Sequence, residues 1–343
     1  MPELVRRGHA VTVAHGPLLD AGAKSALQPA ILREVSPLPG PGPARRLALQ
    51  RLTYLRLLRD VSVEAVSAET FPMPEVPGLL ALVHDLRFQN LRFPYGTFFD
   101  HLLRDACKRA RRIQTDTVAV AQELVHHLGI EMNRIDVVPI AVLVPDLVDL
   151  SPPELTEPYV LVVGHDDPHK DLSLASSVAA GLADRGISVV RTGRPSAPAY
   201  RRGSKRSESL PVADGANQPG VPIRHLGIVS DDRRDALLHH AVAVLVPSRL
   251  EGFGLVPLEA LAVGASVVAS DIPAHREVLG DAVRFFAPGD AKAALARILE
   301  AAGASDLERS EQIAHGQARA AVFSPAQAAD AFEASLCNAG LAD

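Results

Sequence analysis

Short apolar runs rich in β-branched residues alternate with longer mixed stretches throughout the C-terminal half of the chain. The runs have the length of strands and several end in glycine, which is typical of buried parallel strands. The pattern predicts strands at 159–164, 186–193, 221–227, 240–247 and 265–270. It predicts helices between them, with 172–186 and 231–241 as examples. Strand and helix in alternation indicate an α/β fold with a doubly wound parallel sheet, which binds ligands at the carboxyl ends of its strands.

The N-terminal half is less regular but contains runs of the same kind. We predict strands at 9–16, 79–85 and 134–142, a helix over 100–114 that leads into a strand, and a helix at 118–129. The stretch 147–158, rich in proline, leucine and acidic residues, predicts a linker. The predicted organisation is an N-terminal Rossmann-like domain over 1–146, a linker over 147–158, a C-terminal Rossmann-like domain over 159–322 and a final helix over 323–343.

Composition narrows the class of protein. At 343 residues the chain is too long for one ordinary core, and 47% apolar residues suit two globular domains. The net charge of −5 argues against general nucleic-acid binding. The cysteines, Cys107 and Cys337, provide neither a disulfide framework nor zinc spacing, which favours a reducing cytoplasm. No apolar run approaches the length of a membrane span, so we expect a cytoplasmic protein, at most attached to a membrane surface.

Candidate chemistry is concentrated at 248–271, where Glu251 and Glu259 flank a glycine-containing turn that leads into a predicted helix. Gly252 and Gly254 expose backbone N–H groups at the start of that helix, where an anion is favoured. Carboxylates can hold vicinal hydroxyls. Phosphate on the amides and hydroxyls on the carboxylates would suit a nucleotide-activated sugar. The alternative is that the glycines only make a turn and that Glu259, placed in the first helical turn, favours the helix dipole.

The stretch 247–290 resembles the donor-binding signature of family-4 retaining glycosyltransferases, which have the GT-B fold of two Rossmann-like domains facing a cleft and an E-x7-E motif. The stretch 159–172 resembles that family's strand, glycine loop and phosphate-binding lysine, and 225–248 resembles the segment before the signature. In the N-terminal half, 79–94 resembles the VHD segment and 111–142 the stretch before the linker. The resemblance also implies that the final helix packs back on the N-terminal domain.

The resemblance implies roles for individual residues. Glu259 would hold the ribose hydroxyls and Glu251 the hydroxyls of the transferred sugar. Lys170 would neutralise the departing diphosphate, and His84 would approach the sugar from across the cleft, which makes His84, Lys170 and Glu251 the candidate catalytic residues. The other candidate donor-binding residues surround these, namely Gly164, His165, Arg249, Gly252, Phe253, Gly254 and Leu255.

The implied reaction is transfer of a hexose from a nucleotide-diphosphate sugar to a glycan or lipid-linked acceptor, with retention of anomeric configuration. The VHD segment followed by RFP resembles mannosyltransferase-like or rhamnosyltransferase-like members of the family, which makes GDP-mannose the first candidate donor. Fixed donors and a cation aimed at the leaving diphosphate would be the main source of catalysis. No cofactor and no metal are implied, so Asp166 and Asp167 are interpreted as loop carboxylates. Arg249 either forms an ion pair beside Glu251 or assists with phosphate.

Two other functions remain open on the sequence alone. One is a sugar-nucleotide epimerase or hydrolase on the same fold, and the other is a catalytically impaired partner protein. A nicotinamide dehydrogenase is disfavoured because no G-x-G-x-x-G follows a strand. The chain also begins within what resembles the end of the family's first helix, so a first strand is expected to be missing. A misassigned start, a truncated enzyme and an inactive protein all fit this observation.

Two basic stretches and one polar stretch leave further choices. The stretch 44–60, with leucines among arginines, is either a membrane-surface helix, which would bring the enzyme to a lipid-linked acceptor, or a domain helix with arginines facing water. We favour the second interpretation there and for 104–112. The stretch 194–220, rich in Pro, Ser, Gly and charge, predicts a long surface loop.

Overall fold

The structure is a computed structural model of the 343-residue chain. It describes residues 2–15, 31–34, 64–68, 73, 75–87, 96–143, 155, 157–165, 167–193 and 223–341. The chain forms two compact units, one made of 1–141 with 325–343 and the other of 142–324.

The second unit is built on a six-stranded parallel sheet in the order β12-β11-β10-β7-β8-β9. Its strands are β7 (Tyr159–Val163), β8 (Ser188–Thr192), β9 (Ile223–His225), β10 (Ala243–Val246), β11 (Val267–Ser270) and β12 (Arg284–Phe286). All residues of β10 and β11 are buried, as expected for central strands covered on both faces. The chain moves outward from β7 through β8 to β9 and then returns to β10 on the other side of β7. The order of strands thus reverses between β7 and β10, and doubly wound folds bind ligands at this switch point.

Helices of the second unit connect these strands and supply the rest of its core. They are α4 (Leu172–Leu182), α5 (Asp231–His240), α6 (Leu255–Ala262), α7 (Pro273–Leu279), α8 (Ala291–Ala302) and α9 (Asp306–Ala321). Side chains of α4 and α8 pack with the strands in one buried apolar cluster. The Ser230 hydroxyl caps α5, and Gly264, with φ +80°, follows the end of α6 in the left-handed conformation that favours glycine.

The first unit contains a four-stranded parallel sheet in the order β3-β4-β5-β6 and a separate parallel pair, β1-β2. The strands are β1 (Thr12–His15), β2 (Ile31–Glu34), β3 (Val66–Ala68), β4 (Leu79–Val83), β5 (Arg112–Thr115) and β6 (Ile135–Val137). The helices are α1 (Pro2–Arg6), α2 (Gly96–Arg109), α3 (Val118–Leu128) and α10 (Pro325–Asn338). Val83 of β4 is paired with Thr115 of β5, so the residues that follow these two leave the sheet side by side.

The last helix, α10, belongs to the first unit although it follows the second in sequence. Ser335 is fully buried, accepts a hydrogen bond from the Gln114 amide at 3.0 Å and donates one to Asp136 at 2.8 Å. At the start of the chain, the Arg7 guanidinium reaches Asp330 Oδ1 at 2.6 Å. Polar contacts to two sheet strands and to Arg7, the residue after α1, therefore hold α10 in this unit.

The predicted α/β class with two parallel-sheet units is confirmed. Each strand predicted with stated bounds contains an observed one, and α3, for example, falls within the helix predicted at 118–129. The helix predicted over 100–114 begins earlier, at Gly96, and ends at Arg109. The prediction omitted β2, β3 and β12, which are runs of three or four residues, and β12 also contains Arg284. The stretches 44–60 and 194–220 and most of 147–158 lie outside the described residues, and the domain boundaries stay predictions. None of the helices in the described ranges combines the length and the apolarity that crossing a membrane requires.

Candidate functional site

Lys170 and Glu251 meet where the sheet of the second unit changes direction. Lys170 ends a 3-10 turn, Pro168–Lys170, that follows β7, and Glu251 lies in the loop after β10. Because β7 and β10 are parallel neighbours, their carboxyl ends lie at the same edge of the sheet. The Lys170 Nζ atom lies 2.5 Å from Glu251 Oε1. The sequence places these residues 81 positions apart, and the fold makes them an ion pair.

Glu251 is a largely buried carboxylate that the site keeps ionised. Its side chain is 14% exposed, and the Ser248 hydroxyl donates to the same Oε1 atom at 2.7 Å. Burial raises the pKa of Glu251, but the charge and hydrogen bond of Lys170, followed by the hydrogen bond of Ser248, lower it further. The net effect is a pKa below the ordinary glutamate value. At neutral pH this group is therefore a hydrogen-bond acceptor only.

The glycine turn leads directly into α6. Gly254 has φ +95° and is the N-cap residue of the helix. A Cβ atom at this position would lie 3.0 Å from Cδ2 of His275, so both the backbone conformation and the space require glycine. The first N–H groups of a helix have no partner within it, and α6 begins at Leu255. This turn therefore carries the partial positive charge that an anion prefers.

Phe253 contributes its backbone to the turn, because its side chain is committed to the core. The side chain is 4% exposed, and its ring meets that of Phe323 edge-on with centroids 5.3 Å apart. Such a pair is a favourable aromatic arrangement. The packing anchors the middle of the turn between Gly252 and Gly254. The role expected for the Phe253 amide stays a prediction.

The expected position of Glu259 in the first helical turn is wrong. The helix begins at Leu255, directly after Gly254, which caps it in the left-handed conformation, so Glu259 is the fifth residue of α6. The helix dipole acts mainly on the first turn, which weakens the dipole explanation for this residue. Glu259 is 24% exposed, and its carboxylate lies 3.8 Å from Arg234 of α5. Burial raises the pKa of Glu259, Arg234 lowers it, and Asp235 and Asp231 raise it, with a net increase.

Gly164 and His165 follow β7. A Cβ atom at Gly193, which follows β8, would lie 2.3 Å from the Gly164 carbonyl oxygen, so these two strand ends approach each other closely. His165 is exposed and lines one small cleft with Gly164, Lys170, Ser248 and other residues. The cleft thus brings together residues that follow β7 and residues that follow β10.

Arg249 does not pair with the adjacent Glu251. Its Nε atom lies 2.7 Å from Asp171 Oδ2, and its backbone N–H donates to the His169 carbonyl at 2.7 Å. Asp171 is 6% exposed and has φ +46°, a conformation that is strained for a non-glycine residue. The interpretation of Arg249 as an ion-pair partner is therefore correct in kind, but the partner is Asp171. The pair connects the loop that carries Lys170 to the loop that carries Glu251.

The sequence analysis did not identify three buried polar residues near the glycine turn, namely Ser248, Ser270 and His275. Ser270 donates from its hydroxyl to the Ser248 carbonyl, and its own carbonyl lies 2.8 Å from Nδ1 of His275. His275 is fully buried, and its Nε2 has no hydrogen-bond partner among the described residues. Burial lowers the pKa of His275, and this outweighs the hydrogen bond to Ser270, so the ring is neutral and Nδ1 donates. The signal in the sequence was a histidine two positions after Pro273, which begins α7. That pattern alone indicates only a helix.

His84 lies in the first unit, directly after β4. Its Nδ1 atom is 2.6 Å from Oδ2 of Asp116, which directly follows β5. The register of the two strands explains the contact, since Val83 and Thr115 are partners. The His84 side chain is 39% exposed and that of Asp116 only 3%. A buried carboxylate on Nδ1 fixes the tautomer and the orientation of an imidazole, and Asp116 is a further residue that sequence reasoning missed.

Within the described ranges, no group of three or more His, Cys, Asp or Glu side chains is arranged to hold a metal ion. Asp167 is exposed, and Asp166 lies outside the described residues. Oxygen-rich clusters are what magnesium or calcium requires. The interpretation of these two aspartates as loop carboxylates stays a prediction.

The fold is an α/β fold of the GT-B type, with two parallel-sheet units. Residues 150–319, which lie within the second unit, match the profile of the family described as Glycosyl transferases group 1. Over the whole chain, the sucrose-phosphate synthase of Thermosynechococcus elongatus has a similar structure, with a TM-score of 0.68 at 17% identity and coverage of 99% of this chain and 89% of that one. Identity at that level concerns the fold alone.

Two relatives are similar in sequence. The O-antigen chain mannosyltransferase RfbU of Salmonella typhimurium LT2 is 27% identical over 212 residues, which are 61% of this chain and 57% of that protein. The phosphatidyl-myo-inositol mannosyltransferase of Mycobacterium leprae is 41% identical over 96 residues, 27% of this chain and 26% of that protein. The matched region thus spans little more than half of the first relative and about a quarter of the second.

Proposed function

We propose that this chain is a family-4 retaining glycosyltransferase with an E-x7-E donor signature. It transfers a hexose from a nucleotide-diphosphate sugar to a glycan or lipid-linked acceptor. Mannose is the first candidate sugar and GDP-mannose the first candidate donor, because two similar proteins are named as mannosyltransferases. The names of those relatives also favour a glycan or a lipid as acceptor.

One observation carries the proposal. A cation, a carboxylate and a helix N-terminus meet at the switch point of a parallel sheet, with Lys170 Nζ 2.5 Å from Glu251 Oε1 and Gly254 capping α6. A diphosphate needs the cation and the backbone N–H groups, and a sugar needs the carboxylate. Glu259, which lies on α6 eight positions after Glu251, offers a second carboxylate for the ribose. These groups suit a ligand in which a diphosphate joins a sugar to a ribose.

The chemistry follows from the same groups. When the sugar–phosphate bond breaks, negative charge grows on the diphosphate and positive charge on the anomeric carbon. Lys170 and the N–H groups at the start of α6 stabilise the first charge. The ionised Glu251 holds sugar hydroxyls close to the second. The acceptor hydroxyl attacks from the face that the diphosphate leaves, and its proton goes to the departing phosphate, so the configuration is retained without a protein nucleophile.

The decisive experiment measures binding and transfer in sequence. Thermal shift with GDP, UDP, ADP and dTDP and their sugars identifies the base, and we expect GDP and GDP-mannose to stabilise the protein most. Transfer of labelled mannose to a glycan acceptor or to a lipid-linked acceptor then identifies the acceptor class. The anomeric coupling of the product by NMR establishes retention or inversion.

Controls separate this proposal from the alternatives. Turnover of the donor in the absence of acceptor, at the rate seen with acceptor, would identify a hydrolase or an epimerase instead. A folded protein that binds none of the four nucleotides would be a partner protein without transferase activity. Peripheral binding to vesicles that contain anionic lipid, measured beside neutral vesicles, tests attachment to a membrane surface.

A further inference from the structure

Arg234 lies at the centre of three carboxylates in the second unit, all of them on α5 and α6. Its Nη1 atom is 3.0 Å from Asp231, its Nη2 atom 3.0 Å from Asp235, and the same Nη2 atom 3.8 Å from Glu259. The Arg234 side chain is 27% exposed and that of Asp235 15%. The guanidinium therefore acts as a shared counter-ion in a partly desolvated setting, where charge interactions are stronger than in water.

The distance to Glu259 is informative. At 3.8 Å the Arg234 guanidinium attracts the carboxylate but does not occupy its oxygen atoms with a short hydrogen bond. Its short contacts go to the aspartates of its own helix instead. Glu259 thus keeps acceptor capacity while a positive charge stands beside it. A carboxylate that must accept hydrogen bonds from two hydroxyls needs both properties.

The other elements packed against α6 place no competing counter-ion at Glu259 among the residues described. On α7, the neutral His275 lies against Gly254, the N-cap residue of α6. From α9, Gly316 packs on Leu261, and Gln317 lies near Gly264. Strands β10 and β11 carry no ionisable side chain. The groups that act on the charge of Glu259 are therefore those of α5, with Arg234 opposing Asp235 and Asp231.

We propose that Arg234 is a positioning residue of the nucleotide site, which holds the Glu259 carboxylate ionised and oriented toward the ribose hydroxyls. This inference rests on the proposed function, because it takes the nucleotide ribose as the ligand of Glu259. Without Arg234, three carboxylates would face one another, and Glu259 would take up a proton at a higher pH than in the wild type. A protonated Glu259 loses acceptor capacity, so nucleotide binding would become weaker and more sensitive to acid.

The test is the affinity for GDP, measured by calorimetry from pH 5 to pH 8 with wild type, Arg234→Gln, Arg234→Lys, Asp235→Asn and Glu259→Gln. The phosphate of GDP titrates equally for every variant, so the comparison between variants isolates the protein. The GDP affinity should fall at low pH, where Glu259 becomes protonated, and we call this fall the acid limb of the profile. We expect the acid limb of Arg234→Gln to lie at higher pH than that of the wild type. A shift of one pH unit corresponds to about tenfold weaker binding at a pH below both midpoints. Arg234→Lys should keep most of the wild-type affinity. The acid limb of Asp235→Asn should lie at lower pH than that of the wild type.

The opposite signs expected for Arg234→Gln and Asp235→Asn distinguish an electrostatic role from a merely structural one. Arg233 is exposed on the same helix, so Arg233→Gln makes the same charge change and should leave the profile unchanged. Titration of the Glu259 side-chain carbon by NMR, without ligand, gives a second readout if Arg234→Gln binds nucleotide poorly for other reasons. In that titration the Glu259 midpoint should rise in Arg234→Gln.

The outcomes separate the two proposals. If Glu259→Gln removes the acid limb but the profiles and NMR midpoints of Arg234→Gln and wild type coincide, the inference is overturned and the proposed function stands. An equal shift in Arg233→Gln would also overturn it. If Glu259→Gln binds GDP as wild type does, or if no nucleotide binds, the ribose assignment in the proposed function fails and the inference fails with it.

Discussion

Lys170 and Glu251 neutralise each other across 2.5 Å, although the proposed reaction gives them different parts of the donor. Each charged group is the counter-ion of the other, and both side chains are largely buried. A bound diphosphate would offer Lys170 a stronger anion, and a bound sugar would offer Glu251 its hydroxyls. The pair therefore keeps both groups charged and in position until the ligand replaces it.

Replacing Lys170 should affect transfer more than donor binding. We expect Lys170→Met to lower kcat by about a hundredfold, since loss of one group that stabilises developing charge typically has that effect. KM for the donor should change much less. Lys292, exposed on α8, provides the matched control, and Lys292→Met should behave as wild type. Wild-type kcat in Lys170→Met would remove this lysine from the mechanism.

Replacing Glu251 should give a stability effect that depends on pH. Its pKa in the folded protein lies below the ordinary value, so its ionisation contributes stability that is fully present above the unfolded pKa. That contribution is lost as the pH falls through the folded pKa. Urea unfolding of wild type and Glu251→Gln should differ by about 1–3 kcal/mol at pH 7 and by less at pH 4. A difference that grows in acid would contradict the assigned direction of the shift.

Gly254 should tolerate no side chain, for two separable reasons. Gly254→Ala forces φ +95° on a residue with a Cβ atom and presses that atom to 3.0 Å from His275. Gly186 provides the control, because it has φ +66° with nothing within 4 Å of an added Cβ. We expect Gly186→Ala to cost about 1 kcal/mol of stability and to bind nucleotide normally. Gly254→Ala should lower the nucleotide affinity as well as the stability. Equal nucleotide affinities in the two variants would argue against the turn as the binding element.

The sequence predicted the strands and helices well because their signals are local. Runs such as 159–164 and 265–270 need burial on both faces, and their composition reveals it. The contacts of the site are not local. Arg249 was expected either to form an ion pair beside Glu251, two positions away, or to assist with phosphate, whereas the fold pairs it with Asp171, 78 positions distant. His275 and Arg234 carry no motif of their own, and only the packing of α5 and α7 against α6 brings them to the site. Glu259 was wrongly placed in the first turn of α6, because the exact start of that helix depends on the left-handed conformation of Gly254.

Asp116 should control the behaviour of His84 through the 2.6 Å contact between them. In Asp116→Asn the buried carboxylate that orients the ring is lost, so His84 should lose its preferred tautomer. If His84 contacts a hydroxyl in the reaction, kcat should fall about tenfold or more. Asp100 pairs with His127 at 2.9 Å on the surface of the same unit, so Asp100→Asn removes a His–Asp pair away from the site, together with the 2.8 Å contact between Asp100 and Arg104. Equal, small effects of the two substitutions on kcat and on its pH profile would show that the His84–Asp116 pair only supports the fold.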